Sequence, residues 1–131
     1  MKQQSPSMDQ WIREAKKQPN AQKIGMYLFH NGVVRATPKA EVREKQIGLP
    51  PVRKMLFSYD PDRVAEAVES TYALEGIYYV RAWLNSGLLE PGEDIMYVLI
   101  GGDIRPHVTA ALDYLVGKLK SQCVTEEEIS E

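Results

Sequence analysis

The chain has 131 residues, 44% hydrophobic and 26% charged, with one cysteine and a formal net charge of −2. These proportions exclude a disordered or collagen-like chain and leave room for one core but no second catalytic domain; Cys123 has no disulfide partner and no cysteine cage to join. The charge is unevenly divided: residues 1–54 carry eleven Lys and Arg against four Asp and Glu, residues 55–131 five against fourteen.

In chain order, Ser7 is placed to cap a helix from about Met8 to Lys17, with Trp11, Ile12 and Ala15 on one face. Gln18-Pro19-Asn20 ends it. Residues 23–36 alternate, Ile24, Met26 and Leu28 on one side against Tyr27 and Phe29 on the other. This predicts a strand that bends near Asn31-Gly32. From Thr37 to Arg53 the chain is polar and basic, a long loop of the kind that is usually functional or mobile.

Met55, Phe57 and Tyr59 alternate as a second strand, and Asp60-Pro61 opens a helix that Gly76 stops. Ile77 to Leu84 is a strand. Asn85-Ser86-Gly87 and Glu90-Pro91-Gly92-Glu93 frame a tight connection to another, Ile95 to Ile100. Pro106 starts a last helix with an apolar stripe of Val108, Ala111, Leu112, Leu115 and Leu119. Residues 121–131 read as a polar, acidic tail. The order α-β-β-α-β-β-α predicts a single α+β domain over residues 1–131, with helices covering one face of a mostly antiparallel sheet.

A basic half attracts an anionic partner, although the two halves can also neutralise each other in the fold. No zinc-finger spacing, aromatic RNA-binding box or arginine-rich run is present, so nucleic acid is not the expected partner. The apolar stretch Ile95 to Ile100 is too short to cross a bilayer, and the first residues lead into no apolar signal region. A cytoplasmic chain without membrane contact is therefore expected.

His30 and His107 are far apart, and no spacing of His, Cys and carboxylates suggests a metal. Asp60 and Asp62 suit helix capping, and Glu126-Glu127-Glu128 a solvated tail. Gly101-Gly102 before a helix fits a phosphate-cradling turn or a plain strand-to-helix turn. Three cations stand apart by placement: Arg35 at a strand end, Arg105 beside a helix N-terminus, and Lys120 at that helix's end. An arginine beside free backbone N–H groups suits a phosphate or carboxylate, and surface solvation is the alternative. The residues alone lead to an anion-binding α+β domain.

Several stretches together carry a family resemblance over Gly25 to Lys120. They are Gly25–Arg35 (GMYLFHNGVVR), Phe57–Asp60 (FSYD) before a helix, and Gly87–Glu93 (GLLEPGE) before an apolar strand. Ile104-Arg105 at the last helix and Leu119-Lys120 at its end complete the set. In this order and spacing the chain resembles the large, catalytic subunit of molybdopterin synthase, the MoaE family. The resemblance implies an α/β-hammerhead type of fold, a homodimer, and no cofactor. It also implies sulfur transfer from the thiocarboxylated C-terminal glycine of a ubiquitin-like small subunit to cyclic pyranopterin monophosphate. Arg35 and Arg105 would hold the substrate's phosphate or acidic groups, and Lys120 would be the catalytic amine.

The sequence departs from the family pattern at three places. Ile104 stands where the family has histidine, Leu84-Asn85 where it has His-Arg, and Glu127 falls near the slot of a second catalytic lysine. His107, one helical turn on from Ile104, is the accessory candidate for the same pocket. Two readings follow: a molybdopterin synthase large subunit using Lys120, Arg35 and Arg105, or a catalytically deficient paralogue that keeps an anion- or pterin-binding pocket or a groove for a partner's tail. The missing second lysine leads to an expectation of absent or slow turnover. A homodimer is expected independently, because a two-fold pairing would cover a strand edge of short, apolar strands.

Overall fold

Side-chain caps start two helices where the sequence places them. The Ser7 hydroxyl accepts from the Gln10 N–H at 3.2 Å, and the Asp60 carboxylate accepts from Asp62 and Arg63 at 3.0 and 3.4 Å. The computed structural model describes residues 1–130. Its elements run α1 (Met8–Ala15), a 3-10 turn (Ala21–Lys23), β1 (Met26–Val33), α2 (Lys39–Arg43), β2 (Lys54–Tyr59), α3 (Pro61–Tyr72) and β3 (Ile77–Leu84). They continue with β4 (Gly87–Leu89), β5 (Asp94–Gly102), α4 (Arg105–Lys118), a π-type turn (Leu119–Cys123) and β6 (Val124–Ile129).

The strands form two three-stranded antiparallel sheets, β1-β5-β3 and β4-β2-β6. Central β5 is buried from Ile95 to Gly102, which is why its sequence is an unbroken apolar run and not an alternating one. Val98 and Ile100 pack with Val108, Ala111, Leu115 and Leu119 of the last helix and turn. Tyr97 and Leu99, on the other face, pack with Trp11 and Ala15 of α1. Arg81 stacks over the Trp11 ring at 4.5 Å and reaches Glu14 at 3.0 Å, pinning α1 to β3.

This α+β arrangement corrects the expected layering at four points. Helices cover both faces of the first sheet, α1 on one and α4 on the other. The expected long loop contains α2, whose five residues are too few to show a helical apolar period. The tight connection before β5 contains β4, only three residues long. The expected acidic tail is a π-type turn followed by β6, paired with β2 along its length; Glu131 lies outside the described residues. A strand whose inward positions are glutamates has no apolar alternation to betray it.

The expected stop at Gly76 is corrected, since α3 ends at Tyr72 with Ala73 as its C-cap. Gly76 instead makes the turn into β3 in the left-handed region, with φ of 74°, and a Cβ there would overlap the Asp103 carboxylate and the His107 ring. Gly101 and Gly102 are buried residues of β5, and a Cβ on Gly102 would meet the Gly76 carbonyl oxygen and Val108 at 2.7 Å. Close packing accounts for this pair, so the phosphate-cradling turn is withdrawn.

Candidate functional site

Three cations of the basic half and Lys120 from the acidic half line one cavity where the two sheets meet. The end of β1, the start of β5, β2, β6, α2 and the turn after α4 enclose a cavity of about 50 Å³ over an apolar floor of Val33, Met55 and Ile95. Arg35, Lys39, Arg43 and Lys120 line it, together with Glu126 and Glu128. Four cations against two carboxylates leave the cavity suited to an anion.

Each side chain arrives by a local device. A register shift between Gly32 and Val33 turns the chain off the sheet just before Arg35, whose Nε donates to the Thr37 carbonyl at 3.1 Å. The π-type turn carries Lys120 out of the helix to an exposed position, while Leu119 and Cys123 on either side stay buried. Lys39 opens α2; its backbone N–H donates to both carboxylate oxygens of Glu128, at 3.0 and 3.3 Å, and its Nζ lies 3.6 Å from Glu126.

The β2–β6 register decides which glutamates face the cavity. Met55 pairs with Glu128 and Phe57 with Glu126, and directly opposed residues share a face of the sheet. Glu126 and Glu128 therefore lie on the sheet face of the buried Met55 and Phe57, Glu126 half-buried and Glu128 exposed at the cavity's edge. Glu127 pairs with exposed Leu56 and points away. The expectation that Glu127 occupies the pocket is corrected by one residue of strand alternation.

Arg105 does not join Arg35 and Lys120 within the chain. It starts α4, and the helical rise over the intervening residues puts it roughly 20 Å from Lys120. Ile104 and His107 lie at the same far end. His107 is engaged there, its Nδ1 2.7 Å from Asp103 and its Nε2 3.3 Å from Glu75. The accessory role for His107 beside Lys120 thus finds no geometric support within one chain. Cys123 is buried, and burial pushes its thiol above the ordinary value, so it is no ready nucleophile.

His30 stands beside the site instead. Its Nε2 is buried without a hydrogen-bond partner. Burial, and then the positive charge of Lys120, hold its imidazole below the usual value. The Asp103 hydrogen bond raises His107, with Glu75 adding to it against a smaller opposing effect of burial. The signs are opposite. Below the unfolded value near 6.5 the unfolded chain protonates at His30 before the native one does, so native stability falls as pH drops through that region. His107 adds stability that is complete below 6.5 and is lost as pH rises through its raised folded value. In urea denaturation, His30→Leu should therefore flatten the acid-side decline, and His107→Ala should cost more at pH 5.5 than at pH 9. Equal losses at both pH values for His107→Ala would contradict this assignment.

A larger open groove, about 600 Å³, runs between α3 and β3 past Val64, Val68, Tyr72 and Ala82. It is mostly apolar and gathers no comparable set of cations, so it is not the candidate site.

A family model described as MoaE protein matches residues 1–122. The chain belongs to the MoaE family. Solved structures agree on the fold. Molybdopterin synthase from Staphylococcus aureus superposes with a TM-score of 0.72 at 14% identity, covering 96% of this chain and 86% of that one. Molybdopterin cofactor biosynthesis protein E from Burkholderia multivorans gives 0.67 at 19% identity, covering 98% and 84%. A complex of subunits 1 and 2 of molybdopterin-converting factor from Helicobacter pylori gives 0.65 at 9% identity, covering 97% and 81%. No curated protein matches the chain significantly in sequence. Among the described residues no helix is long and apolar enough to cross a membrane.

Sequence reasoning found Arg35 and Lys120 but missed Lys39, Arg43, Glu126 and Glu128. The first two sat in a segment read as loop. The glutamates would have been found by testing Val124–Ile129 for period-two pairing with the strand at Lys54–Tyr59.

Proposed function

We propose that the chain is the large subunit of a molybdopterin synthase, working in the cytoplasm in molybdenum cofactor biosynthesis. Sulfur from a thiocarboxylated, ubiquitin-like small subunit would pass to cyclic pyranopterin monophosphate at the Arg35–Lys120 cavity. One observation carries this reading: in a chain of the MoaE family, Arg35 and Lys120 converge on one cavity from distant segments. The planar guanidinium of Arg35 suits two oxygens of a phosphate at once. Lys120 takes part in none of the ion pairs among the described residues, so its amine is available to the reacting groups.

Arg105 enters this reading through a second copy. At roughly 20 Å along α4 it cannot reach the Lys120 cavity of its own chain, but in a two-fold dimer it can serve the partner's. The test is mixing. Lys120→Met and Arg105→Ala chains, each inactive alone, should on co-refolding regain about a quarter of the wild-type conversion rate. Half the dimers are then mixed, and each mixed dimer holds one intact site. No recovery, with light scattering showing dimers, would sink the shared site; monomer mass alone would sink the dimer.

The two carboxylates in the cavity favour a second reading, a binding module without turnover. A chain that binds the small subunit's tail but converts no pyranopterin would establish it.

A further inference from the structure

We propose that Lys39 is the second amine of the cavity and binds the ligand's anionic group together with Lys120, displacing Glu126, which is its counter-ion until then. The inference rests on the anion-binding reading above and adds to it a residue from a different segment. Lys39 comes from the basic stretch before β2, far in sequence from the helix end that supplies Lys120, yet both line one cavity. Its position is fixed through the backbone: the Lys39 N–H donates to both oxygens of Glu128, which anchors the start of α2 to β6. The side chain is therefore free to exchange partners while its base stays in place.

The Lys39–Glu126 pair has the geometry of an exchangeable contact. At 3.6 Å it is an ion pair but lies beyond a good N–H···O hydrogen bond. Its two halves differ in exposure: the Lys39 side chain is 38% exposed and Glu126 only 10%. An anion entering from solvent meets the ammonium first, with the carboxylate behind it. A phosphate offers charge-assisted hydrogen bonds at 2.7–2.9 Å, roughly twice as strong as neutral ones, that the 3.6 Å pair does not make. Glu126 opposes the ligand by competing with it for the Lys39 ammonium. The ligand class is therefore one bearing a phosphate group, whose oxygens can be shared between two amines.

The test uses the full chain with inorganic pyrophosphate as calorimetric probe. Lys39→Met should weaken binding tenfold or more, and Lys39→Arg should restore most of it. Glu126→Gln should tighten binding severalfold, and that gain should vanish in the Lys39→Met background, because Glu126 acts through Lys39. Lys17→Met, at an exposed site beyond α1, should bind as wild type. Thermal melts confirm that each variant is folded; should Lys39→Met not fold, Lys39→Gln takes its place. Wild-type affinity in a folded Lys39→Met chain would overturn the inference, as would an equal gain from Glu126→Gln in both backgrounds. If Lys120→Met and Arg35→Ala weaken binding while Lys39→Met does not, only this inference fails. If none of the three weakens it, the anion-binding reading fails with it.

Discussion

Replacing Lys120 with methionine is expected to lower pyranopterin conversion by about a hundredfold to ten-thousandfold, the usual range for removing a positioned acid–base group. Methionine keeps the length of the side chain and removes the amine. The position is exposed, so stability should change by no more than about 0.5 kcal/mol. Loss of rate with an unchanged melting temperature separates chemistry from folding. Because Arg35 remains, binding of the phosphate should weaken less than the rate does. A Lys120→Met chain with wild-type rate would move the reacting amine elsewhere, with Lys39 the first residue to examine.

Phe57→Ala should be the most damaging change to the fold. Phe57 is 1% exposed on β2, packed in the main core on the same sheet face as Glu126. Truncating a buried phenylalanine costs about 3–5 kcal/mol, a large part of the 5–15 kcal/mol that stabilises a typical domain. The melting temperature should fall by roughly 10–20 °C. The loss should reach the cavity as well, because Phe57 packs beneath the β6 residue that pairs with Lys39. Weaker anion binding should therefore accompany the lower stability. A melting temperature within 3 °C of wild type would show that the β4-β2-β6 sheet does not depend on this contact.

Elements built on strong local signals were legible in the sequence. Ser7 and Asp60 capped their helices, and Ile77 to Leu84 was a strand to the residue. Short or disguised elements were not. Five residues of α2 and three of β4 carry too little periodicity, and both owe their place to pairing with distant segments. β6 was hidden by its composition: alternate glutamates at 126 and 128 line a cavity rich in cations, where an apolar residue would have announced a strand.

The candidate site divides along the same line. Arg35 and Lys120 stood out by position at the ends of regular elements, and they meet. Arg105 stood out for the same reason and does not meet them, because a helix separates its own ends whatever its sequence suggests. Glu127 was one residue off, and in a strand one residue is the difference between the two faces.

The most direct measurement supplies the purified, unmodified chain with cyclic pyranopterin monophosphate and a thiocarboxylated small subunit, and follows formation of the dithiolene. The expected result is conversion that follows the amount of thiocarboxylate supplied and is lost in the Lys120→Met chain. No conversion while the small subunit's tail and the pyranopterin both bind would contradict the synthase reading and leave a binding module in its place.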